Sequence, residues 1–154
     1  MNKVDNLPKK NAHPFWRWFW LSFLVASLAY TWYSFYAPSN NVAWSDNMVA
    51  AKEIANESNK NMMLFFTGKW CSPCRIMKRN VFADKEVADA INAKFVPIII
   101  DIDDPNSKEI VKGYKVGTTP VTIFTNPDGE VINYAVGKIG KVAFLELLGN
   151  AKPL

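Results

Sequence analysis

Cys71 and Cys74 are the only cysteines of the chain, and they lie in the run WCSPCR, shortly after the apolar segment Met62 to Phe66. Two intervening residues allow a disulfide with little backbone movement when the first cysteine begins a helix and the second lies one turn inside it. The positive end of the helix dipole favours the thiolate of Cys71. Pro73 fits the first turn, where its missing N–H would have had no partner. The spacing therefore predicts a reversible dithiol–disulfide pair.

Two other uses of a CxxC pair have to be weighed. Structural zinc takes four ligands, whereas the chain offers two cysteines and one histidine, His13, in the N-terminal tail. We therefore predict no metal site, and disulfide exchange requires no bound cofactor. A purely structural bridge between the cysteines would close a very short loop and would stabilise the fold poorly.

An uncharged segment of 20 residues, Trp18 to Ala37, precedes the cysteine region. At about 1.5 Å per residue, a helix of this length matches the roughly 30 Å core of a bilayer, and aromatic residues crowd both its ends. We predict a transmembrane anchor at residues 18–37. A cleaved signal peptide is an alternative, but its apolar stretch is typically about 7 to 15 residues, and the best cleavage site, Ser27 to Ala29, falls mid-segment. A buried core helix would show a polar face.

The distribution of charge predicts orientation and excludes one class of partner. Residues 1–17 hold four basic side chains and one acidic side chain, whereas residues 38–45 hold no basic side chain. The positive-inside rule makes residues 1–17 a cytoplasmic tail and places the rest outside the inner membrane, in the periplasm of a bacterium. Residues 38–154 hold 14 basic and 13 acidic side chains, so no basic surface is available for nucleic acid.

Apolar strands alternate with amphipathic helices after a polar linker, residues 38–42. The predicted elements are a helix from Asp46 to Ser58 with Ser45 as N-cap, a strand Met62–Phe66, a helix from Cys71 to about Val81, a helix Lys85–Ala93 capped by Asp84, a strand Phe95–Asp101, a short helix Asn106–Gly113, a strand Val121–Thr125, a strand Glu130–Val136 and a helix Lys141–Leu148. The unbroken apolar runs are typical of parallel strands buried on both faces, and the turn Asn126 to Gly129 indicates a hairpin. The order predicts an α/β domain with a parallel part and a terminal hairpin.

Three runs of residues resemble the thioredoxin fold over roughly residues 43 to 150. They are Phe65 to Cys74, Val116 to Val121, and Asp128 to Val131 followed by Gly137. Trp44-Ser45 and residues 81–87 are most similar to the thioredoxin-like domains found outside the bacterial inner membrane, of which the C-terminal domain of DsbD is an example. The resemblance implies a mixed central sheet with flanking helices in a domain at residues 43–154.

The same resemblance implies the residues that bind a client protein. Pro120 would be a cis proline that faces the cysteine pair, and X–Pro bonds adopt the cis form far more readily than others. The backbone of Thr119 would then pair with an incoming peptide as an added strand does. Trp70 and Pro73 would form the apolar rim on which the peptide lies.

One position departs from the family pattern. Thioredoxins place a buried carboxylate beneath the second cysteine, whereas the aligned residue here is Phe65, and no lysine near Ile99 matches its charged partner. Deprotonation of Cys74 must then rely on water or on another group, and the sequence does not identify that group.

The sequence thus predicts a thiol:disulfide oxidoreductase in which Cys71 attacks a client disulfide and Cys74 resolves the mixed disulfide. The expected partners are disulfide-bearing proteins and a membrane or periplasmic redox partner, and the expected direction is reductase or interchange duty. An alternative is a membrane-tethered binding or assembly factor whose cysteines are a redox-sensitive latch. Metal delivery is a further alternative, but such carriers usually add a histidine, and residues 38–154 contain none.

Overall fold

The computed structural model describes residues 14–36 and 38–151, and the chain divides into two units, residues 1–35 and 36–154. Most of the predicted cytoplasmic tail, residues 1–17, lies outside the described residues. Ala37, at the end of the predicted anchor, and residues 152–154 lie outside them as well.

The first unit contains a helix, α1 (Pro14–Phe35), of 22 residues. Aromatic side chains follow each other along it: the ring centroids of Trp16 and Trp20 are 5.8 Å apart, and those of Trp20 and Phe23 are 5.9 Å apart. Among the described residues, however, no helix is both long enough and apolar enough to cross a membrane. The transmembrane prediction for residues 18–37 is therefore not supported.

The second unit is built on a four-stranded sheet in the order β2-β1-β3-β4. The strands are β1 (Asn61–Thr67), β2 (Phe95–Asp101), β3 (Val121–Thr125) and β4 (Val131–Val136). Strand β1 is parallel to β2 and antiparallel to β3, which forms the hairpin with β4. The predicted mixed sheet with a terminal hairpin is confirmed. All seven residues of β1 are buried, as its unbroken apolar run predicts.

Helices cover both faces of the sheet. They are α2 (Met48–Ser58), α3 (Ser72–Met77), α4 (Lys85–Lys94), α5 (Lys108–Gly113) and α6 (Lys141–Asn150), with a π-helical turn at Lys78–Phe82 and a 3-10 turn at Pro105–Ser107. The face that carries Met63, Phe65 and Thr67 of β1 is called the CxxC face, because Met63 and Phe65 belong to one apolar cluster with both cysteines. The face that carries Met62, Leu64 and Phe66 is called the opposite face, and it packs with Ala51 and Ala55 of α2.

Of two predicted helix N-caps, one is confirmed and the other is wrong. Asp84 caps α4 as expected, since its carboxylate accepts from the N–H groups of Glu86 and Val87. The N-cap of α2 is Asn47 and not Ser45. The backbone N–H of Ser45 instead donates to the Pro97 carbonyl at 2.8 Å, which adds a short bridge to the outer side of the edge strand β2. A contact between distant parts of the chain therefore delays the helix by two residues.

Candidate active site

The cysteine pair lies where β1 ends and α3 begins. Cys71 and Cys74 form a disulfide, with their Cα atoms 5.2 Å apart. Cys71 is the N-cap of α3, and its Sγ accepts a hydrogen bond from the Cys74 N–H at 3.2 Å. Cys71 is 9% exposed and Cys74 is 1% exposed. Attack from outside therefore reaches Cys71 first, and the helix N-terminus is already arranged to stabilise negative charge on its sulfur.

The loop before Cys71 is held on both sides. The N–H of Lys69 donates to the Asp103 carboxylate at 2.8 Å, and the N–H of Cys71 donates to the Gly68 carbonyl at 3.1 Å. A Cβ at Gly68 would lie 3.2 Å from the Asp103 carboxylate, so this approach favours glycine. Trp70, at the tip, is 83% exposed. The sequence contains no local signal for the role of Asp103, because its partner is 34 residues away.

Arg75 forms a second clamp on the same loop. Its guanidinium donates to the Lys69 carbonyl at 3.3 Å and to the Ser72 hydroxyl at 3.0 Å. The arginine thus joins the residues on both sides of Trp70 and Cys71. The structure adds this contact to the predicted site.

The Thr119-Pro120 bond is cis, as the resemblance implied. Val121 pairs with Phe66, and extending that register by one residue puts Pro120 opposite Thr67, four residues before Cys71. The loop before β3, residues 117–120, therefore lies at the same end of the sheet as the cysteines. Thr119 is half-buried, as is Pro73 on α3. The client-binding roles of Trp70, Pro73, Thr119 and Pro120 stay predictions.

A groove opens beside this loop on the opposite face. It has a volume of about 290 Å³ and reaches the loop at Gly117 and Thr118. Val121 and Ile123 of β3 and the exposed side chains Tyr134 and Val136 of β4 line it further along. The surface next to the loop before β3, which is predicted to bind a client, is therefore largely apolar.

The surroundings of Cys74 are apolar on the sheet side. Phe65 is fully buried in the same cluster, with its ring centroid 4.8 Å from that of Phe82. One helical turn beyond Cys74, the backbone N–H of Lys78 donates to the Cys74 carbonyl. Burial lowers the pKa of Lys78, and the negative charge of Asp101 partly offsets this effect. Within residues 14–36 and 38–151, no group of three or more His, Cys, Asp or Glu side chains is placed to hold a metal ion.

Comparisons with known proteins agree with this geometry. The model of the thioredoxin-like domain family matches residues 48–152. Thioredoxin H3 from Arabidopsis thaliana is 34% identical over 96 residues, which are 61% of this chain and 70% of that protein. The thiol:disulfide interchange protein DsbD from Pseudomonas fluorescens is 25% identical over 99 residues, which are 62% of this chain but 17% of that protein. The oxidised C-terminal domain of DsbD from Neisseria meningitidis superposes with a TM-score of 0.59 at 22% identity, covering 68% of this chain and 91% of that domain.

Proposed function

Because this chain belongs to the thioredoxin-like domain family, we propose that it is a thiol:disulfide oxidoreductase that exchanges disulfides with client proteins. One observation carries the proposal. The only two cysteines of the chain form a disulfide at a helix N-terminus, and the sulfur of the more exposed residue, Cys71, already accepts a backbone hydrogen bond there. This arrangement lowers the free energy of a thiolate at Cys71 without any cofactor.

In the reducing direction, the Cys71 thiolate attacks one sulfur of a client disulfide. A bond forms between Cys71 and that sulfur, and the other client sulfur leaves with the electron pair as a thiolate. The thiolate of Cys74 then attacks the Cys71 sulfur and releases the second client thiolate. Two electrons pass from the cysteine pair to the client, and the Cys71–Cys74 disulfide remains. The oxidising direction is the reverse.

Four residues around the sulfurs are proposed to hold the client. Trp70 supplies an exposed aromatic surface next to Cys71, and Pro73 follows on α3. Thr119 and Pro120 lie at the same end of the sheet, where β3 begins. An extended client segment would lie across the sulfurs between these two sides and would pair with the backbone of Thr119.

Reduction or interchange is the proposed direction. The similarity to the thiol:disulfide interchange protein DsbD supports it, and a redox partner must then supply electrons to Cys71 and Cys74. Equilibration with glutathione tests this part. A potential close to the roughly −270 mV of thioredoxin fits a reductant, whereas one close to about −120 mV would assign the protein to oxidation.

The proposed place of action is outside the bacterial inner membrane, with the N-terminus in the cytoplasm. The excess of basic residues in residues 1–17 supports this orientation. Contact between residues 18–37 and a bilayer is part of the proposal. It is supported by exposed aromatic side chains along α1 and by the hydroxyls of Ser22 and Thr31, which donate to carbonyls of the same helix.

A reporter enzyme that is active only outside the cytoplasm, fused after residue 154, tests the location. Activity in intact cells supports it, and an inactive fusion places the domain inside. Extraction of membranes with alkaline carbonate tests the contact with the bilayer, because a protein held only by other proteins is released.

A trapping experiment tests the function itself. Cys74→Ala should leave the mixed disulfide between Cys71 and a client unresolved, so covalent complexes accumulate and disappear on reduction. Cys71→Ser is the matched control, since it keeps one cysteine of the pair and should trap nothing. If Cys74→Ala traps no protein and the wild-type chain does not accelerate insulin reduction, the exchange proposal fails. The redox-sensitive latch, whose disulfide forms without turnover, would then be the better assignment.

A further inference from the structure

Lys78 is a partly buried lysine that the exchange steps above do not use. It lies four residues after Cys74, and its backbone N–H donates to the Cys74 carbonyl. Side chains at this helical spacing are neighbours, with Cβ atoms about 5–6 Å apart. Cys74 is 1% exposed and Lys78 is half-buried. The lysine side chain therefore begins beside a nearly buried cysteine.

Asp101 supplies the opposite charge from the end of β2. In the parallel register, Phe65 pairs with Ile99 and Thr67 pairs with Asp101. Side chains two residues apart on a strand lie on the same face, and Ile99 packs against the cluster that contains Cys74. Asp101 thus lies on the CxxC face. Its carboxylate raises the pKa of Lys78 against the larger lowering by burial, and so helps to keep the lysine protonated.

The apolar side chains packed in the same cluster as Cys74 oppose a thiolate. Phe65 and Met77 are fully buried in its cluster and carry no charge. Burial in apolar surroundings raises the pKa of a thiol, because the charged form loses hydration. A cation one helical turn away acts in the opposite sense.

We propose that the ammonium group of Lys78 favours the thiolate of Cys74 and thereby sets the rate at which Cys74 resolves the mixed disulfide, which rests on the exchange reaction proposed above. In that step the Cys74 thiol gives its proton to water, and its sulfur then bonds to the Cys71 sulfur. The bond between Cys71 and the client breaks, and its electron pair leaves with the client sulfur. No bond to Lys78 forms or breaks, so Lys78 is a positioning residue that acts through its charge.

Other charges surround the same helix. They include Arg75 on α3, Arg79 in the π-helical turn, Lys69 in the loop before Cys71, Asp103 in the loop after β2, Lys138 before α6, and Asp84, Glu86 and Lys141 at the junction of α4 and α6. Lys141 pairs with Asp84 at 2.9 Å and with Glu86 at 2.8 Å, so the fields of these three groups partly cancel. Substitution of Lys78 alone leaves all of them in place.

The direct test is a titration of Cys74 in the full chain with Cys71→Ser, where Cys74 is the only thiol. Thiolate absorbance is followed against pH in this background, with Lys78→Met, Lys78→Arg or Lys85→Met added. Methionine keeps the apolar stem of the lysine and arginine keeps the charge. Lys85 is an exposed lysine paired with Asp89 on α4, so its variant controls for the loss of one positive charge elsewhere.

We expect Lys78→Met to raise the pKa of Cys74 by about one unit, the low end of the effect of a close opposite charge. Lys78→Arg and Lys85→Met should leave it near the starting value. The inference is wrong if Lys78→Met causes no rise, or if Lys78→Arg raises the pKa as much as Lys78→Met does. Unfolding curves of each variant show that the titrated protein is folded.

This titration needs no exchange activity, so its outcome is independent of the proposed function. A second measurement, made in the protein with both cysteines, links the effect of Lys78 to the proposed exchange reaction. Lys78→Met should slow resolution of a preformed mixed disulfide about tenfold near neutral pH, and the rate should recover at alkaline pH. Attack by Cys71 on a small disulfide should be little changed. Equal slowing of both steps at every pH would instead indicate a structural defect.

Discussion

The two faces of the central sheet are both buried but carry different kinds of side chain. Strand β1 contributes side chains to both faces, because successive residues of a strand point to opposite faces. Its CxxC face meets two sulfurs, a half-buried lysine and the aromatic rings of Trp44, Phe82 and Phe144. Its opposite face meets mainly aliphatic side chains of α2, β2 and β3.

The difference indicates how stability and chemistry are divided in this domain. The opposite face contributes volume and apolar area, which many side chains can supply. The CxxC face also contributes buried apolar side chains, and in addition it sets the surroundings of the sulfurs. Substitutions on the opposite face should therefore change stability alone, whereas substitutions on the CxxC face should change stability and redox properties together.

The largest expected effect is on the CxxC face, at Cys71. Cys71→Ser should reduce the rate of insulin reduction to that of the reaction without protein, because no other sulfur is placed for attack. Stability should change little, since the lost disulfide closes a very short loop. The rate of insulin reduction and the chemical unfolding curve, measured on one preparation, check both expectations. Residual turnover above background would mean that Cys74 can begin the reaction.

The matching change on the opposite face is Leu64→Ala. Leu64 is fully buried there, and removal of its side chain should lower the free energy of unfolding by about 2–5 kcal/mol. The exchange rate per folded molecule and the potential against glutathione should stay unchanged. A shift of the potential would break the comparison, because it would show that packing on this face reaches the sulfurs.

An aromatic substitution on the CxxC face sharpens the comparison. Phe82 meets the rings of Trp44, Phe65 and Phe144 edge to face, with centroids 4.8 to 5.4 Å apart. Each such pair contributes about 0.5–1.5 kcal/mol, so the loss of all three in Phe82→Leu should cost about 1.5–4.5 kcal/mol of stability. It should also shift the potential, because Phe82 ends the π-helical turn that follows α3 and packs in the same cluster as both cysteines. An unchanged potential would show that the two faces are equally remote from the chemistry.

Local patterns predicted the parts of this structure that depend on neighbouring residues. Strand β2 has the predicted ends, and Asp84 caps α4, because an apolar run and a cap are each read from a few adjacent residues. The CxxC spacing likewise predicted the disulfide between Cys71 and Cys74.

Contacts between distant residues account for what the patterns missed. Ser45 has the side chain of an N-cap, but its backbone is used by β2, and Asn47 takes the cap. The clamp from Asp103 to Lys69 depends on how the loops after β1 and β2 meet. The effect of Asp101 on Lys78 likewise joins the end of β2 to a helical segment that follows β1. The membrane prediction for residues 18–37 stays a prediction, since no described helix is both long enough and apolar enough to cross a membrane.

The smallest expected effect concerns charge at the border of the CxxC face, at Asp84. The hydrogen bond from Lys141 is the largest of the effects that hold the pKa of this carboxyl below its ordinary value. A carboxylate with a lowered folded-state pKa stabilises the fold above its unfolded pKa of about 4, and the contribution disappears as the pH falls through the folded value.

Asp84→Asn isolates this charge, because asparagine is an equally good N-cap. The variant should unfold at a slightly lower temperature than the wild type at pH 7, and the difference should shrink as the pH is lowered below about 4. Asp89→Asn, which removes an exposed partner of Lys85, is the matched control for one lost carboxylate. A difference in melting temperature that stays constant down to strongly acidic pH would show that Asp84 acts through its cap and not through Lys141. Both side chains of the pair are about one-third exposed, at 37% and 31%, so water screens their charges. The potential of the cysteines should therefore not move at any pH, which would distinguish charge at the border of this face from charge beside the sulfurs.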